Sequence, residues 1–463
     1  MKLLIKASIL ASIIGSISPV QSASPERPPN LIVIMTDDQG YADVGFNGCK
    51  DIPTPNLDSI AKNGVHFPNG YVSYSVCSPS RAGFLTGRYE QRFGHERNPK
   101  FQPGNPQSGL PLSETTLADA LGKVGYQSGI IGKWHLGAHP DLHPLKRWFN
   151  EFFGHLGGGH CYFPEELTLQ ITDQAKSETD SYKLWIMRDQ TAVKTTHYLT
   201  DEFSDEAVRF VERHKAEPFF LYLAYNAPHS PQQASEKYLA RFPDIKNEKR
   251  RTYAAMVSAV DDGVGRVLGK LRELDLDQNT LVVYLSDNGG PSDNGSDNHP
   301  LRGGKGSPWE GGIRVPFAAQ WPGHIPNGLI YANPIISLDI FATIAALAKA
   351  PVDPARPLDG VNLIPYLTGA NPGNPHEAIY LRMFDKGAYA VVDREFKLVI
   401  NAKGGPAELY NLRLDIGEKN NIAGSSPEQL GALEKKRAAW DAKLVPPVFE
   451  GLSAKKKAHA DDQ

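Results

Sequence analysis

The sequence predicts an α/β protein in which a large domain with a mostly parallel central sheet precedes a small α+β domain with an antiparallel sheet. Three observations predict it. Unbroken apolar runs of strand length recur at 31–36, 127–131, 218–225 and 281–286. Runs without polar alternation suit strands buried on both faces, as in a parallel sheet under helices. Amphipathic helical patterns lie between them at 56–62, 113–124, 199–215 and 251–274, with one more at 337–349; strand alternating with helix is how parallel α/β domains are built. Past the Pro-rich stretch 351–357 the pattern changes to short β-branched or alternating segments at 378–382, 388–392 and 397–400, then a helix at 427–444. That order fits an antiparallel sheet with one helix.

The elements follow in chain order. Residues 1–23 have the form of a secretory signal peptide: Lys2 and Lys6, an apolar run at 7–14, and small residues near Ser22. The run is much shorter than the ~20 residues of a membrane span, so the expectation is an exported protein, periplasmic or secreted, with no membrane span. Residues 24–350 form the large domain, 351–450 the small one, and 451–463, with Lys455, Lys456 and Lys457, a solvated tail. Two domains suit 463 residues, more than one core usually serves.

Composition removes several function classes. Lys and Arg number 49 against 52 Asp and Glu, a net charge of −3, which excludes nucleic acid as a partner held by bulk electrostatics. Three cysteines exclude a disulfide framework and any four-cysteine metal site. In an oxidising compartment Cys49 and Cys161 either pair or stay separate; the sequence is compatible with both. The 43 glycines and 36 prolines point to many shaped loops.

In open α/β sheets ligands bind at the carboxyl ends of strands. The four apolar runs are followed by Asp37-Asp38, by Lys133 and His135, by His229, and by Asp287-Asn288. A single Asp there is commonly a cap or turn residue; four strand ends in a row carrying such groups point to a site. Asp37, Asp38, Asp287 and Asn288 are hard oxygen donors suited to Ca²⁺ or Mg²⁺. Lys133, His135, His229 and Lys305 are placed to surround a bound anion. Together they imply a tetrahedral oxyanion ester, phosphate or sulfate. Cys77 opens a helical pattern over 79–85, where a helix N-terminus favours anions, and Arg81 returns one turn later. A reactive thiol and a small buried apolar side chain fit that segment equally well.

Cys77-Ser78-Pro79-Ser80-Arg81-Ala82, continuing to Leu85-Thr86-Gly87-Arg88, resembles the first signature of the type I sulfatases, and the segment Gly125 to His135 resembles the second. Asp37-Asp38-Gln39-Gly40, Ala227-Pro228-His229, Ser286-Asp287-Asn288-Gly289, Gly304-Lys305-Gly306 and Trp309-Glu310-Gly311-Gly312 are similar to further blocks of that family, in family order. Glu408-Leu409-Tyr410-Asn411-Leu412, with Asp415, Glu418 and Asn421, resembles its C-terminal turn. The resemblance implies an alkaline-phosphatase-like large domain and a formylglycine made from Cys77 by a separate maturation enzyme. It implies Ca²⁺ held by Asp37, Asp38, Asp287, Asn288 and the modified Cys77. The hydrated aldehyde would attack sulfur with one hydroxyl and expel sulfate with the other. Arg81 would hold position 77 ionised, His135 would be the base, and Lys133, Lys305 and His229 would bind sulfate, with His229 or Lys305 protonating the leaving oxygen.

Substrate choice falls to the loops between these blocks. Residues 92–98 contain His95 and Arg97, and 139–162 contain Trp148, His155 and His160. Arg and His suit a polyanionic sugar, and aromatic faces stack on sugar rings. The chain as a whole resembles bacterial carbohydrate sulfatases, and 93–99 with 157–160 resemble those acting on algal galactans such as carrageenan. The expected partner is thus a sulfated oligo- or polysaccharide. Two rival readings are a phosphatase or phosphonate monoester hydrolase of the same superfold, and a sulfated-glycan-binding protein without activity. No second metal-ligand set is evident for the first, and the intact Cys77, Arg81, Lys133, His135 and Lys305 speak against the second.

Overall fold

The four apolar runs become neighbouring strands at the centre of one ten-stranded sheet. The computed structural model describes residues 27–452, so the leader read at 1–23 and most of the tail read at 451–463 lie outside the described residues. Across the sheet the order is Leu329–Ile330, Val65–His66, Phe317–Gln320, Thr280–Ser286, Asn30–Thr36, Phe219–Ala224, Gln127–Lys133, Glu151–His155, Ile186–Arg188 and Thr191–Val193. The five strands from Thr280–Ser286 to Glu151–His155 run parallel. Phe317–Gln320 on one side and the 186–193 hairpin on the other are antiparallel additions.

Alternate residues of the central strands feed opposite faces, as the pleat requires. Ile32, Ile34 and Leu221 meet Phe203 and Phe210 of the helix Leu199–Arg213 and Val257 and Val264 of Glu248–Glu273. On the other face Leu31, Val33 and Tyr222 meet Phe84 and Leu85 of Cys77–Thr86 and Phe341 of Leu338–Ala348. Every residue of Asn30–Thr36 and Thr280–Ser286 is buried, which is why their sequence shows no alternation.

Besides the short outer strands of the large sheet, which the sequence reading did not name, the structure differs from it in three places. The helix expected at 113–124 is only Leu117–Gly122, because Thr116 and Asp119 form a capping box that starts it late. The segment 139–162, read as a loop, contains the strand Glu151–His155. Its Gly154 abuts Gly132 of the neighbouring strand, where a Cβ would fall 1.9 Å from the Gly132 carbonyl oxygen, so a residue type poor in strand propensity is required there. The small sheet has a fourth strand, Ala407–Asn411, inside what read as a turn motif.

That small sheet, Ile379–Met383, Ala388–Asp393, Phe396–Ile400 and Ala407–Asn411, is antiparallel throughout. One face gives Leu381, Ala390, Val399 and Tyr410 to the main core. The other holds Leu433 of the helix Pro427–Asp441 through Val391, Leu398 and Leu409. The three cysteines are free thiols, so Cys49 and Cys161 do not pair.

One pair near the start of this sheet sets a pH dependence. His376 Nε2 lies 2.8 and 3.0 Å from the Asp339 carboxylate oxygens, which also accept the Ile336 and Val361 N–H groups. Burial opposes charging the ring, but Asp339 outweighs it and raises the His376 pKa above 6.5. A raised folded-state pKa adds stability that is complete below the unfolded value and lost as pH rises through the folded one. The denaturation midpoint of the wild type should therefore fall more between about pH 6 and pH 8 than that of His376→Gln. Equal slopes in the two proteins would refute the assignment.

Candidate active site

Hydrogen bonding continues past the strand ends and fixes the residues that follow them. Asp37 N–H donates to the Ala227 carbonyl at 3.1 Å, and Asp287 N–H to the Thr36 carbonyl at 3.0 Å. Asp38 and His135 both take left-handed backbone conformations, with φ of 65° and 58°. Such strain in non-glycine residues gathers at functional sites, where surrounding contacts over-determine it. Here Asp38 N–H is held by Asp287 Oδ1 (3.2 Å), and His135 N–H by the Leu156 carbonyl (3.2 Å).

Cys77 is the first residue of a ten-residue helix and is buried. Its neighbour Ser78 anchors that helix start three ways. Ser78 N–H donates to Asn98 Oδ1 at 3.0 Å, and Ser78 Oγ lies 2.7 Å from both His95 Nε2 and the His135 carbonyl. Cys77 Sγ then sits 3.5 Å from Asp37 Oδ1 and 3.3 Å from Lys305 Nζ. Arg81, one turn on and fully buried, donates from Nε to Asp287 Oδ2 at 3.0 Å and from Nη1 to Tyr222 Oη at 3.2 Å, and its Nη2 lies 2.8 Å from the same Asp287 oxygen as an ion pair. Lys133 Nζ reaches Asp37 Oδ2 at 2.5 Å, and Lys305 Nζ reaches Asp38 at 2.7 Å. His229 turns Nδ1 to the Ser230 carbonyl (2.6 Å) and Nε2 towards Asp38 (3.6 Å). The loop carrying Lys305 packs tightly: a Cβ on Gly289 would lie 1.7 Å from the Gly311 carbonyl oxygen.

Three buried carboxylates therefore face three cations, of which Arg81 and Lys133 are fully buried and Lys305 is partly exposed. Burial opposes ionisation of Asp38, but Lys305, His229 and Lys133 hold its carboxyl well below the usual carboxylate range. Burial and the neighbouring Asp37 charge raise Asp287. Burial, helped by Lys133 and Arg81, keeps His135 neutral, and neither of its ring nitrogens has a partner. Burial pushes the Cys77 thiol up to about 12, against the pull of Lys133 and Lys305.

A divalent cation fits this set. Donor atoms of Asp37, Asp38, Cys77 and His229 lie within 4.8 Å of one another. Asn288 is held against Asp38 Oδ1 at 2.7 Å while its own Oδ1 is buried without a partner. An orphaned buried carbonyl among carboxylates is what a hard-cation ligand looks like before the ion is counted.

The structure brings Asp37, Asp38, Cys77, Arg81, Lys133, His135, His229, Asp287, Asn288 and Lys305 together, but not the residues singled out for substrate. His95 lies in the interior, bonded to Ser78 and edge-on to Phe449. His160 is enclosed, with each ring nitrogen 2.7–2.8 Å from a backbone carbonyl. Arg97 is clamped by Asp385 at 2.9 and 2.6 Å and by the Phe449 carbonyl. Trp148 precedes the strand Glu151–His155 and so stands at the opposite end of the sheet, against Gly122.

Two residues that sequence reasoning missed stand beside the cluster instead. Glu178 accepts from Phe101 N–H (3.0 Å) and Gly158 N–H (3.4 Å), and a Cβ on Gly158 would meet both His135 Nε2 and Glu178 Oε1. Tyr182 packs on Gly159, and burial with the charges of Glu178, Cys77 and Asp37 raises its hydroxyl pKa. The one sequence signal was the Gly157-Gly158-Gly159 run, which leaves room for them.

Comparison with known proteins adds the chemistry's lineage. A family model described as Sulfatase matches residues 29–350. N-acetylgalactosamine-6-sulfatase of Mus musculus is 38% identical over 366 residues, covering 74% of this chain and 67% of its own length. Arylsulfatase A of Homo sapiens is 32% identical, covering 88% of this chain and 87% of its own. The crystal structure of Ps i-CgsB in complex with k-i-k-neocarrahexaose has a TM-score of 0.88 at 40% identity, covering 94% of this chain and 98% of that one. Because the matched span contains every residue of the strand-end cluster, the chain belongs to the sulfatase family, as a sulfuric ester hydrolase on an alkaline-phosphatase-like fold.

Proposed function

We propose that this sulfatase hydrolyses sulfate monoesters of a sulfated carbohydrate, an algal galactan such as carrageenan, with formylglycine made from Cys77 as nucleophile and Ca²⁺ as metal. The observation that carries the reading is Cys77 Sγ, 3.3 Å from Lys305 Nζ and 3.5 Å from Asp37 Oδ1, at the head of a buried helix. The galactan is supported by the 40% identity to a protein solved with a neocarrahexaose.

Formylglycine supplies a hydrated aldehyde with two hydroxyls, and Ca²⁺, held by Asp37, Asp38, Asp287 and Asn288 with position 77, supplies charge neutralisation. The chain's own residues do the rest. Arg81 ties the nucleophile helix to Asp287 and keeps position 77 aimed at the strand ends. Lys133, Lys305 and His229 bind sulfate oxygens and gather the negative charge of the transition state. His135, whose ring nitrogens are uncommitted, takes the proton when sulfate is released. His229 or Lys305 gives a proton to the departing sugar oxygen. A separate maturation enzyme makes the formylglycine, and the leader at 1–23 exports the protein to the periplasm or medium. Residues 24–350 are the catalytic domain and 351–450 a subdomain.

Sulfate release from carrageenan, ulvan, fucoidan and glycosaminoglycan oligosaccharides tests the substrate. Release from carrageenan is expected, and no release from any galactan overturns that assignment. Chelation tests the metal. Stripping divalent ions should lower turnover by about 10²-fold or more, with recovery on adding Ca²⁺. Unchanged turnover in a metal-free preparation would remove calcium from the reading.

A further inference from the structure

Glu178 and Tyr182, half-buried beside the reacting position, have no part in the chemistry above. Their place follows from strand register. Lys133 and His155 are partners on adjacent parallel strands, so the chain leaving His155 emerges at the same end of the sheet as Lys133. It continues as Gly157-Gly158-Gly159, and the short helix Glu178–Ser181 packs over these glycines. A Cβ on Gly158 would lie 2.8 Å from His135 Nε2 and 3.1 Å from Glu178 Oε1, so imidazole and carboxylate are neighbours across a backbone without a side chain. A Cβ on Gly159 would lie 2.6 Å from Tyr182 Cζ and 2.8 Å from its Oη. The pair is held in place. Glu178 Oε2 accepts from Phe101 N–H at 3.0 Å and Oε1 from Gly158 N–H at 3.4 Å, and the Tyr182 carbonyl accepts from Cys161 N–H at 2.9 Å.

The charges at this wall differ from those around position 77. Lys133, Lys305, Arg81 and His229 gather at Cys77, Asp37 and Asp38. The wall instead presents an acid and a phenol. Lys133, whose charge reaches Glu178, is fully buried and already paired with Asp37. Burial raises the Glu178 pKa, and the two N–H donors with Lys133 oppose that rise. Each Glu178 oxygen accepts one N–H and keeps a lone pair, the pattern of a carboxylate with room for a further donor. Burial, with the charges of Glu178, Cys77 and Asp37, raises the Tyr182 hydroxyl pKa, so the phenol stays a neutral donor. A singly sulfated sugar ring offers matching partners. A free hydroxyl on the carbon beside the sulfated one donates to a carboxylate and accepts from a phenol. A second sulfate on that carbon would instead bring an anion to a held carboxylate, and like charges in a partly buried site repel strongly. Glu178 cannot swing clear without giving up both N–H bonds.

We propose that Glu178 and Tyr182 read the ring that carries the scissile sulfate, accepting a free hydroxyl on the adjacent carbon and rejecting a second sulfate there. The proposal rests on the carbohydrate-sulfatase reading. It also gives the enzyme a place in a reaction sequence: a ring sulfated on two adjacent carbons becomes a substrate only after a different sulfate ester hydrolysis has freed one of them.

Steady-state kinetics on the matured full-length enzyme tests it with two carrageenan oligosaccharides. One carries a single sulfate on its galactose, and the other is sulfated also on the adjacent carbon of that ring; release of the shared sulfate is followed by nuclear magnetic resonance. The wild type should favour the first by about 10²-fold or more in kcat/KM. Glu178→Gln should stay within about 10-fold of the wild type on the first and narrow the preference by about 10-fold or more, because the repulsion goes while an acceptor oxygen stays. Tyr182→Phe, which keeps the ring and its packing, should lower kcat/KM on both chains by about 10-fold, mainly through KM. It keeps the test open if Glu178→Gln folds poorly. Equal losses on both chains in Glu178→Gln, leaving the preference unchanged, are what a merely structural role gives and overturn the assignment of Glu178. An unchanged KM in Tyr182→Phe overturns that of Tyr182. A wild type that cleaves both chains equally overturns the proposal and leaves the sulfatase intact. A wild type that releases sulfate from neither, with the aldehyde formed at position 77, overturns the carbohydrate reading itself.

Discussion

Cys77→Ala should lower sulfate release by about 10⁴-fold or more, and Cys77→Ser should not restore it. Removing a covalent nucleophile usually costs that much, because the remaining groups bind the substrate but cannot attack it. The geometry gives no substitute: within reach of the helix start are Asp37, Lys305 and the Ser78 hydroxyl, and Ser78 is already committed to His95 and the His135 carbonyl. A serine at 77 supplies a single hydroxyl and, once sulfated, has no second one with which to expel sulfate. Cys77 is small and encloses no polar network of its own, so the variant should unfold near the wild-type midpoint. The mass of the peptide carrying residue 77, after expression with a maturation system, completes the test. An unmodified thiol in an enzyme whose turnover survives Cys77→Ala would overturn the mechanism.

The second large effect is expected far from the reacting atoms. Lys397→Met should destabilise the fold by about 3–5 kcal/mol, the usual cost of leaving a buried charge unpaired. Lys397 is fully buried in the small sheet, 2.8 Å from Glu310 Oε1 and 2.9 Å from Glu418 Oε1. Arg314 (3.2 Å) and Tyr71 (2.8 Å) share the Glu310 carboxylate, and Glu310 N–H donates to Glu418 Oε2. Without the ammonium, two carboxylates face each other across the seam between the sheets. Because Glu310 follows directly on the loop that presents Lys305, surviving enzyme should also show a raised KM. Lys436→Met is the control. Its pairs with Glu377 and Asp393 are partly exposed, so its loss should be about 0–1 kcal/mol. Denaturant titration distinguishes them, and a Lys397→Met loss of less than about 1 kcal/mol would show that the cluster is not a structural keystone.

The strand ends explain why so much of the site was legible. Asp37, Asp38, Lys133, His135, His229, Asp287 and Asn288 each stand within a few residues of an unbroken apolar run, and strand polarity alone sends all four runs' ends to one edge. Cys77, Arg81 and Lys305 carry their position in short contiguous motifs. The large sheet and the antiparallel small sheet were readable for the same reason, since alternation and its absence are local patterns. The strand Glu151–His155 was not, because its Gly154 and flanking polar residues make sense only against Gly132 across the sheet.

Side chains in the loops behave differently. His95, Arg97 and His160 looked like sugar contacts by residue type, yet packing commits them to Ser78, to Asp385 and to two carbonyls. Glu178 and Tyr182, in a stretch without any motif, take the places beside Cys77 and His135 instead. A histidine or carboxylate in a loop is neutral information until its partners are known, and those partners lie tens to hundreds of residues away.

By itself, then, the sequence determined the fold class, the four central strands with the helices between them, and the residues that end those strands, all properties carried by consecutive residues and by the periodicity of the backbone. Only the tertiary structure decided which loop side chains are already committed to partners, that Cys49 and Cys161 remain thiols, and that a buried ion cluster ties the small sheet to the loop of Lys305. Those are outcomes of burial and pairing between distant segments, where a side chain's protonation, partners and exposure are set by neighbours that its local sequence does not name.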